Sequence, residues 1–180
     1  MAEPLFLEDW FPPDPPSDDD DDWFDRIEDP YPLKTPDSEL LRVAIVANDL
    51  ESVQALLAEG VDPNSYADVV PLLSTASSCG AVEIVKALLE AGASPNLHSD
   101  EGHTPLMCAS GAGHLAIVHT LIDAGANIHA EDKDGNNALS IAAWAGQIEM
   151  VEYLLPLASE EDRKYADSYR KDARDRLLEK

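Results

Sequence analysis

The sequence predicts an all-α solenoid of four helix-turn-helix repeats over residues 37–158. A C-terminal helix over 159–180 closes it, and an acidic tail over 1–36, disordered when free, precedes it. Three observations predict this. The middle of the chain matches itself at shifts of 32 and 33 residues. The first 36 residues crowd prolines and like charges without helical or alternating periodicity. The last segment carries an apolar stripe at every fourth residue.

Charge narrows the function before any motif is considered. The 180 residues hold 36 acidic and 12 basic side chains, a formal charge of −24. That excludes the net-basic surface that phosphate recognition needs, and it disfavours anionic membrane surfaces. The expected partner is another protein with a basic or mixed basic-apolar segment, or the charge serves solubility alone. No apolar run approaches the roughly 20 residues of a membrane span. Met1 to Asp9 carry no basic residue and do not read as a secretory signal. Two cysteines, Cys79 and Cys108, are too few for a disulfide framework. The expectation is a monomer, intracellular, in the cytoplasm or nucleus.

The tail holds eight of the 13 prolines and the run Asp18 to Asp22. It also holds six of the 11 aromatic residues, which solubility alone does not require. Five of them fall in two clusters, Phe6, Trp10 and Phe11 in one, and Trp23 and Phe24 with Ile27 in the other; Tyr31 is the sixth. Bulky apolar groups among carboxylates suit folding onto a partner's apolar groove with a basic rim. Packing back onto the chain's own domain is the alternative. Ser17, followed by Asp18 to Asp20, resembles an acidophilic-kinase site.

The repeats divide at about 37–64, 65–97, 98–130 and 131–158. A shift of 33 places Val85 on Val118 and Val151, and Leu88 on Leu121 and Leu154. A shift of 32 places Val53 on Val85 and Leu56 on Leu88. Each unit has two apolar stretches at helical spacing, separated by Gly80, Gly113, Gly146 or, in the first unit, Asn48. Thr104-Pro105 reads as a helix start, threonine capping and proline in the first turn.

The stretch from Asp100 to Ser110, followed by Gly113-His114, Ile117-Val118, Leu121-Ile122 and Gly125-Ala126-Asn127, resembles the ankyrin repeat almost position by position. The resemblance covers about two thirds of the chain. Departures from it carry expectations of their own. Val69-Val70-Pro71-Leu72 replaces the turn motif of the second unit, so its hairpin finger should be shortened and irregular. Asn137-Ala138 replaces Thr-Pro in the fourth unit, and Pro156 and Ala158 replace the usual ending, so that unit should end early. Arg42 among apolar residues suits a capping first repeat. Ser159 can cap the terminal helix, whose stripe of Tyr165, Tyr169, Ala173 and Leu177 would cover the end of the array.

Catalysis needs a nucleophile beside a base, paired carboxylates in a cleft, or a metal cluster. His98, His103, His114, His119 and His129 fall within 32 residues, but the repeat register sends them in divergent directions, and zinc needs convergent ligands. The acids of the fingers, including Asp132, are expected to stand open to solvent. No catalytic residue, cofactor or metal site is expected.

The family resemblance implies a partner lying along the concave side. Its floor would be the pairs before each turn residue: Val46-Ala47, Ser78-Cys79, Gly111-Ala112 and Trp144-Ala145. Its rim would be the finger residues Asp100, Glu101, His103, Lys133, Asp134 and Asn136. Trp144 is the expected anchor, with packing beneath the terminal helix as the alternative. A non-enzymatic adaptor is the leading expectation. An acidic chaperone or shield for a highly basic client, such as a ribosomal protein or histone, is the second.

Overall fold

The structure is a computed structural model and describes residues 36–160 together with 162 and 163. The tail aromatics and the stripe residues Tyr165, Tyr169, Ala173 and Leu177 lie outside the described residues. Among the described residues eight α-helices form four pairs: α1 (Pro36–Val46) with α2 (Leu50–Ala58), and α3 (Leu72–Ser78) with α4 (Val82–Glu90). The third and fourth pairs are α5 (Pro105–Ala112) with α6 (Leu115–Asp123), and α7 (Ala138–Trp144) with α8 (Ile148–Leu154). α1, α3, α5 and α7 stack side by side as an inner row, and α2, α4 and α6 stack as an outer row. Across the outer row His119 lies against Tyr153, ring centroids 4.2 Å apart. Among the described residues no helix is long and apolar enough to cross a membrane.

Local chemistry sets the helix starts. Asp49 accepts from the Ser52 N–H at 3.2 Å at the head of α2. Thr104 accepts from the Met107 N–H at 3.3 Å at the head of α5, with Pro105 next. Asn137 replaces the Thr-Pro start yet caps as well: it accepts from the Ser140 N–H at 3.0 Å, and Ser140 Oγ accepts the Asn137 N–H at 2.9 Å. The turns between helices carry the expected left-handed residues, Asn48 at φ 55° and Gly113 at φ 79°. The left-handed φ is what favours glycine at Gly113, and a Cβ there would also crowd the Gln147 carboxamide, 2.5 Å from Oε1.

Two fingers differ from expectation or refine it. The second is the one that closes as a ladder: β1 (Tyr66–Ala67) pairs antiparallel with β2 (Val70–Pro71), Ala67 opposite Val70. Its loop needs no glycine because Asp68 adopts φ 56°, and aspartate tolerates the left-handed region better than most residues. The expected irregular finger is therefore a short hairpin, and the fold is helical with two brief strands. The fourth finger is closed by a carboxylate. Asp132 Oδ1 accepts from the Asp134 N–H at 2.9 Å and the Asn136 N–H at 2.8 Å, and Asn136 Nδ2 donates to Oδ2 at 3.1 Å.

The fourth repeat ends early, as its sequence implies. α8 is seven residues where α4 and α6 are nine, and Leu155–Leu157 tighten into a 3-10 turn holding Pro156. Ser159 then accepts the Asp162 N–H at 3.2 Å, which is the cap expected of it. Asp162 Oδ1 in turn accepts from Asn137 Nδ2 at 2.7 Å, tying the start of the terminal segment to the head of α7.

Burial follows the register. Leu72 is fully buried and Ala138 nearly so, but Leu40 in the same column is 55% exposed, and among the described residues no helix pair precedes α1 to cover it. Ile84, Ile117 and Met150 are buried where the first unit has exposed Ser52. Leu88→Ala should therefore cost about 2–5 kcal/mol, and Leu56→Ala, half-buried in the first repeat of the same column, clearly less. Denaturant melts of both variants check this. Equal losses would mean that Leu56 is covered as fully as Leu88.

Candidate functional site

Polar side chains tie the ends of successive inner helices together. His114 follows the α5 turn, and its Nε2 lies 3.2 Å from the Ser78 carbonyl of the preceding repeat. Gln147 repeats the device one unit later, Nε2 donating to the Gly111 carbonyl at 3.2 Å. Each strap grips the backbone at the end of the preceding inner helix, which is the floor of the expected groove. The equivalent position in the second repeat is Ala81, which cannot reach. On the loops, Asn64 Oδ1 accepts the Ser94 N–H at 2.8 Å and Asn96 Oδ1 accepts the Asn127 N–H at 2.7 Å, so an asparagine bridges the first repeat to the second and another the second to the third.

The floor residues are arranged as a row along the inner helix ends. Ala47, Ser78, Cys79, Ala112 and Ala145 are exposed, and Gly111 is half-buried. Gly111 is packed by the next helix, since a Cβ there would lie 3.0 Å from Ile141 Cγ2. Val46 is 55% exposed and Trp144 79% exposed. No helix of the described residues covers Trp144; the stripe of the terminal segment, the alternative cover, lies outside them.

The rim is more tightly built than its composition implies. Glu101 and Lys133 face each other, Nζ to Oε1 at 3.7 Å, and the Lys133 N–H donates to the Glu101 carbonyl at 2.9 Å. Gly102, at φ 89°, permits that approach: a Cβ there would stand 2.8 Å from Asp132 Cα. Asp134 is exposed and Asp100 half-buried. The Asn136 carboxamide is held by Asp132.

Asp132 corrects the expectation of solvent-open finger acids. Its side chain is 4% exposed, and His103 Nε2 lies 3.4 Å from Oδ2. Burial pushes its carboxyl upward, but the Asn136 and Asp134 donors and nearby His103 outweigh burial and hold it below the usual range. It is a structural staple between the third and fourth fingers.

The five histidines have separate surroundings. His98 Nδ1 meets the Ser99 carbonyl at 2.9 Å, His103 meets Asp132, His114 meets Ser78, and His119 meets Tyr153. His129 lies near Asp162. Among the described residues no group of three or more His, Cys, Asp or Glu is placed to hold a metal ion. Cys79 and Cys108 are free thiols; Cys79 is exposed, and burial pushes the Cys108 thiol up, partly offset by the Ser74 hydroxyl.

One cleft joins the floor to the rim. It encloses about 500 Å³ and is lined by His103, Asp132, Asp134, Asn136, Ser140, Ile141 and Trp144. Ile141 and Ser140 were not among the expected groove residues. Their signal was available: both lie on the helix that carries Trp144, Ile141 three residues before it.

With this architecture in place, comparison with known families is direct. The chain matches ankyrin repeats, in three copies, over residues 72–165. It belongs to the ankyrin-repeat family, whose repeats are protein–protein interaction modules. No curated protein matches the chain.

The staple gives a test. A carboxylate held below its ordinary pKa contributes stability above its unfolded value, about 3.9, and loses it as pH falls through the folded value. Asp132→Ala should lower the melting temperature most near neutral pH, and the gap to wild type should narrow below about pH 4. A gap independent of pH would remove the ionised carboxylate from the account.

Proposed function

We propose that the protein is a non-enzymatic adaptor that binds a segment of another protein along its concave groove. The observation that carries this is Trp144: a large aromatic, 79% exposed, at the end of a floor of small side chains and beneath acidic fingers. Such a residue has little reason to stand in water unless something covers it. The partner segment brings Lys or Arg around an apolar anchor, which matches the acidic rim. The aromatic tail, through Phe6, Trp10, Phe11, Trp23, Phe24 and Ile27, serves as a second recruiting segment. The adaptor works as a monomer in the cytoplasm or nucleus, and takes neither nucleic acid nor membrane as its partner.

The charge of −24 supports a second reading, a shield for a highly basic client. Salt separates the two, because a client held by charge alone dissociates steeply as ionic strength rises.

The test is a titration of the partner recovered by affinity purification and mass spectrometry. Trp144→Ala should weaken it by at least about 2 kcal/mol, roughly thirtyfold, the scale of an aromatic hot spot. Circular dichroism must match the parent. Equal affinity of the two folded proteins would remove the groove and leave the tail as the recruiting surface.

A further inference from the structure

The cleft at Trp144 is more selective than an apolar anchor requires. Its lining joins Trp144 and Ile141 of α7 to His103, Asp134 and Asn136 of the fingers. The neighbouring charges are mostly engaged. Asp132 is held by Asn136, by the Asp134 N–H and by His103. The nearest ammonium, Lys133, is turned to Glu101. Asp134 is different: its N–H is held by Asp132, its side chain is exposed, and its carboxylate has no hydrogen-bond or ion-pair partner among the described residues. An electron-rich ring and an unengaged carboxylate therefore border one open cavity.

Three kinds of side chain could enter. An anion is repelled by Asp134 and by the surrounding charge. An aliphatic group would use the indole and leave the carboxylate unused. A planar cation uses both: it stacks on the indole face, where the ring quadrupole attracts it, and its fork of N–H donors meets a carboxylate. Guanidinium is flat and weakly hydrated, so it suits this pairing better than the compact, strongly hydrated ammonium of lysine.

We infer that the Trp144–Asp134 cleft is an arginine subsite, taking one arginine side chain of the segment bound in the groove. The inference rests on the groove reading above and deepens it, assigning the chemistry of one contact. Trp144 supplies the stacking face and Asp134 the counter-charge. Asp132 and Asn136 hold the finger that carries Asp134.

The probe is N-acetyl-arginine N-methylamide, titrated into the full chain while the Trp144 indole N–H is followed by NMR. That resonance is assigned by its loss in Trp144→Phe. The arginine probe should shift it in a dose-dependent way, the lysine analogue less, and the neutral citrulline analogue not at all. Asp134→Asn should weaken the arginine response at least about threefold, and Asp123→Asn, on outer helix α6, should leave it unchanged. An equal citrulline response, or equal losses in Asp134→Asn and Asp123→Asn, would overturn the subsite. Ala112→Arg, which fills the floor, separates the two readings when tested against the recovered partner. Loss of the partner in Ala112→Arg with no arginine response at Trp144 sinks the subsite and leaves the groove. Retention of the partner in that variant sinks the groove as well.

Discussion

Each repeat depends on its neighbour, and the structure follows from that dependence. A single helix pair presents apolar residues on two sides and can bury neither alone. The columns make the constraint visible. Leu88, Leu121 and Leu154 are fully buried where a preceding pair lies against them, and Leu56, in the first of the described pairs, is only half-buried. The first unit answers with polarity, Ser52 at the position of Ile84 and Arg42 paired to Glu39 at 2.9 Å. At the other end, Asn137 and Ser159 take hold of Asp162. The Ser159 hydroxyl holds that carboxyl below its usual range, against an opposing effect of burial.

Stacking also builds the concave surface. Successive inner helices place their last residues in a row, and the straps from His114 and Gln147 fix the carbonyls of that row. The fingers stack above it because Gly102 admits the Asp132 backbone and because Asp132 braces both the fourth finger and His103. The straps are absent between the first two repeats, where Ala81 stands in the reaching position. The firmest part of the concave surface is thus its third and fourth repeats, the part that carries Trp144.

Most of the fold was legible in the sequence because it is periodic. Val85, Val118 and Val151 announce one core position three times, and Asn48, Gly80, Gly113 and Gly146 mark the turns between helices. The early end of the fourth repeat was legible in Pro156. What could not be read was contact between side chains far apart in sequence. Asp68 closes the second finger through a left-handed conformation that aspartate adopts only in a suitable context. Asp132 reads as one more surface acid, and its burial arises from Asn136 and from the finger of the preceding repeat. The exposure of Trp144 was legible as a register position. Its cleft was not, because His103 reaches it from a different repeat.

The central claim is that the protein works through the stacked concave face. Hydrogen exchange of the full chain, with and without the recovered partner, tests it most directly. Binding should slow exchange in finger residues 99–103 and 132–136 and at the C-terminal ends of α5 and α7, leaving α4 and α6 unchanged. Protection confined to the outer helices, with the fingers exchanging as in the free protein, would contradict it.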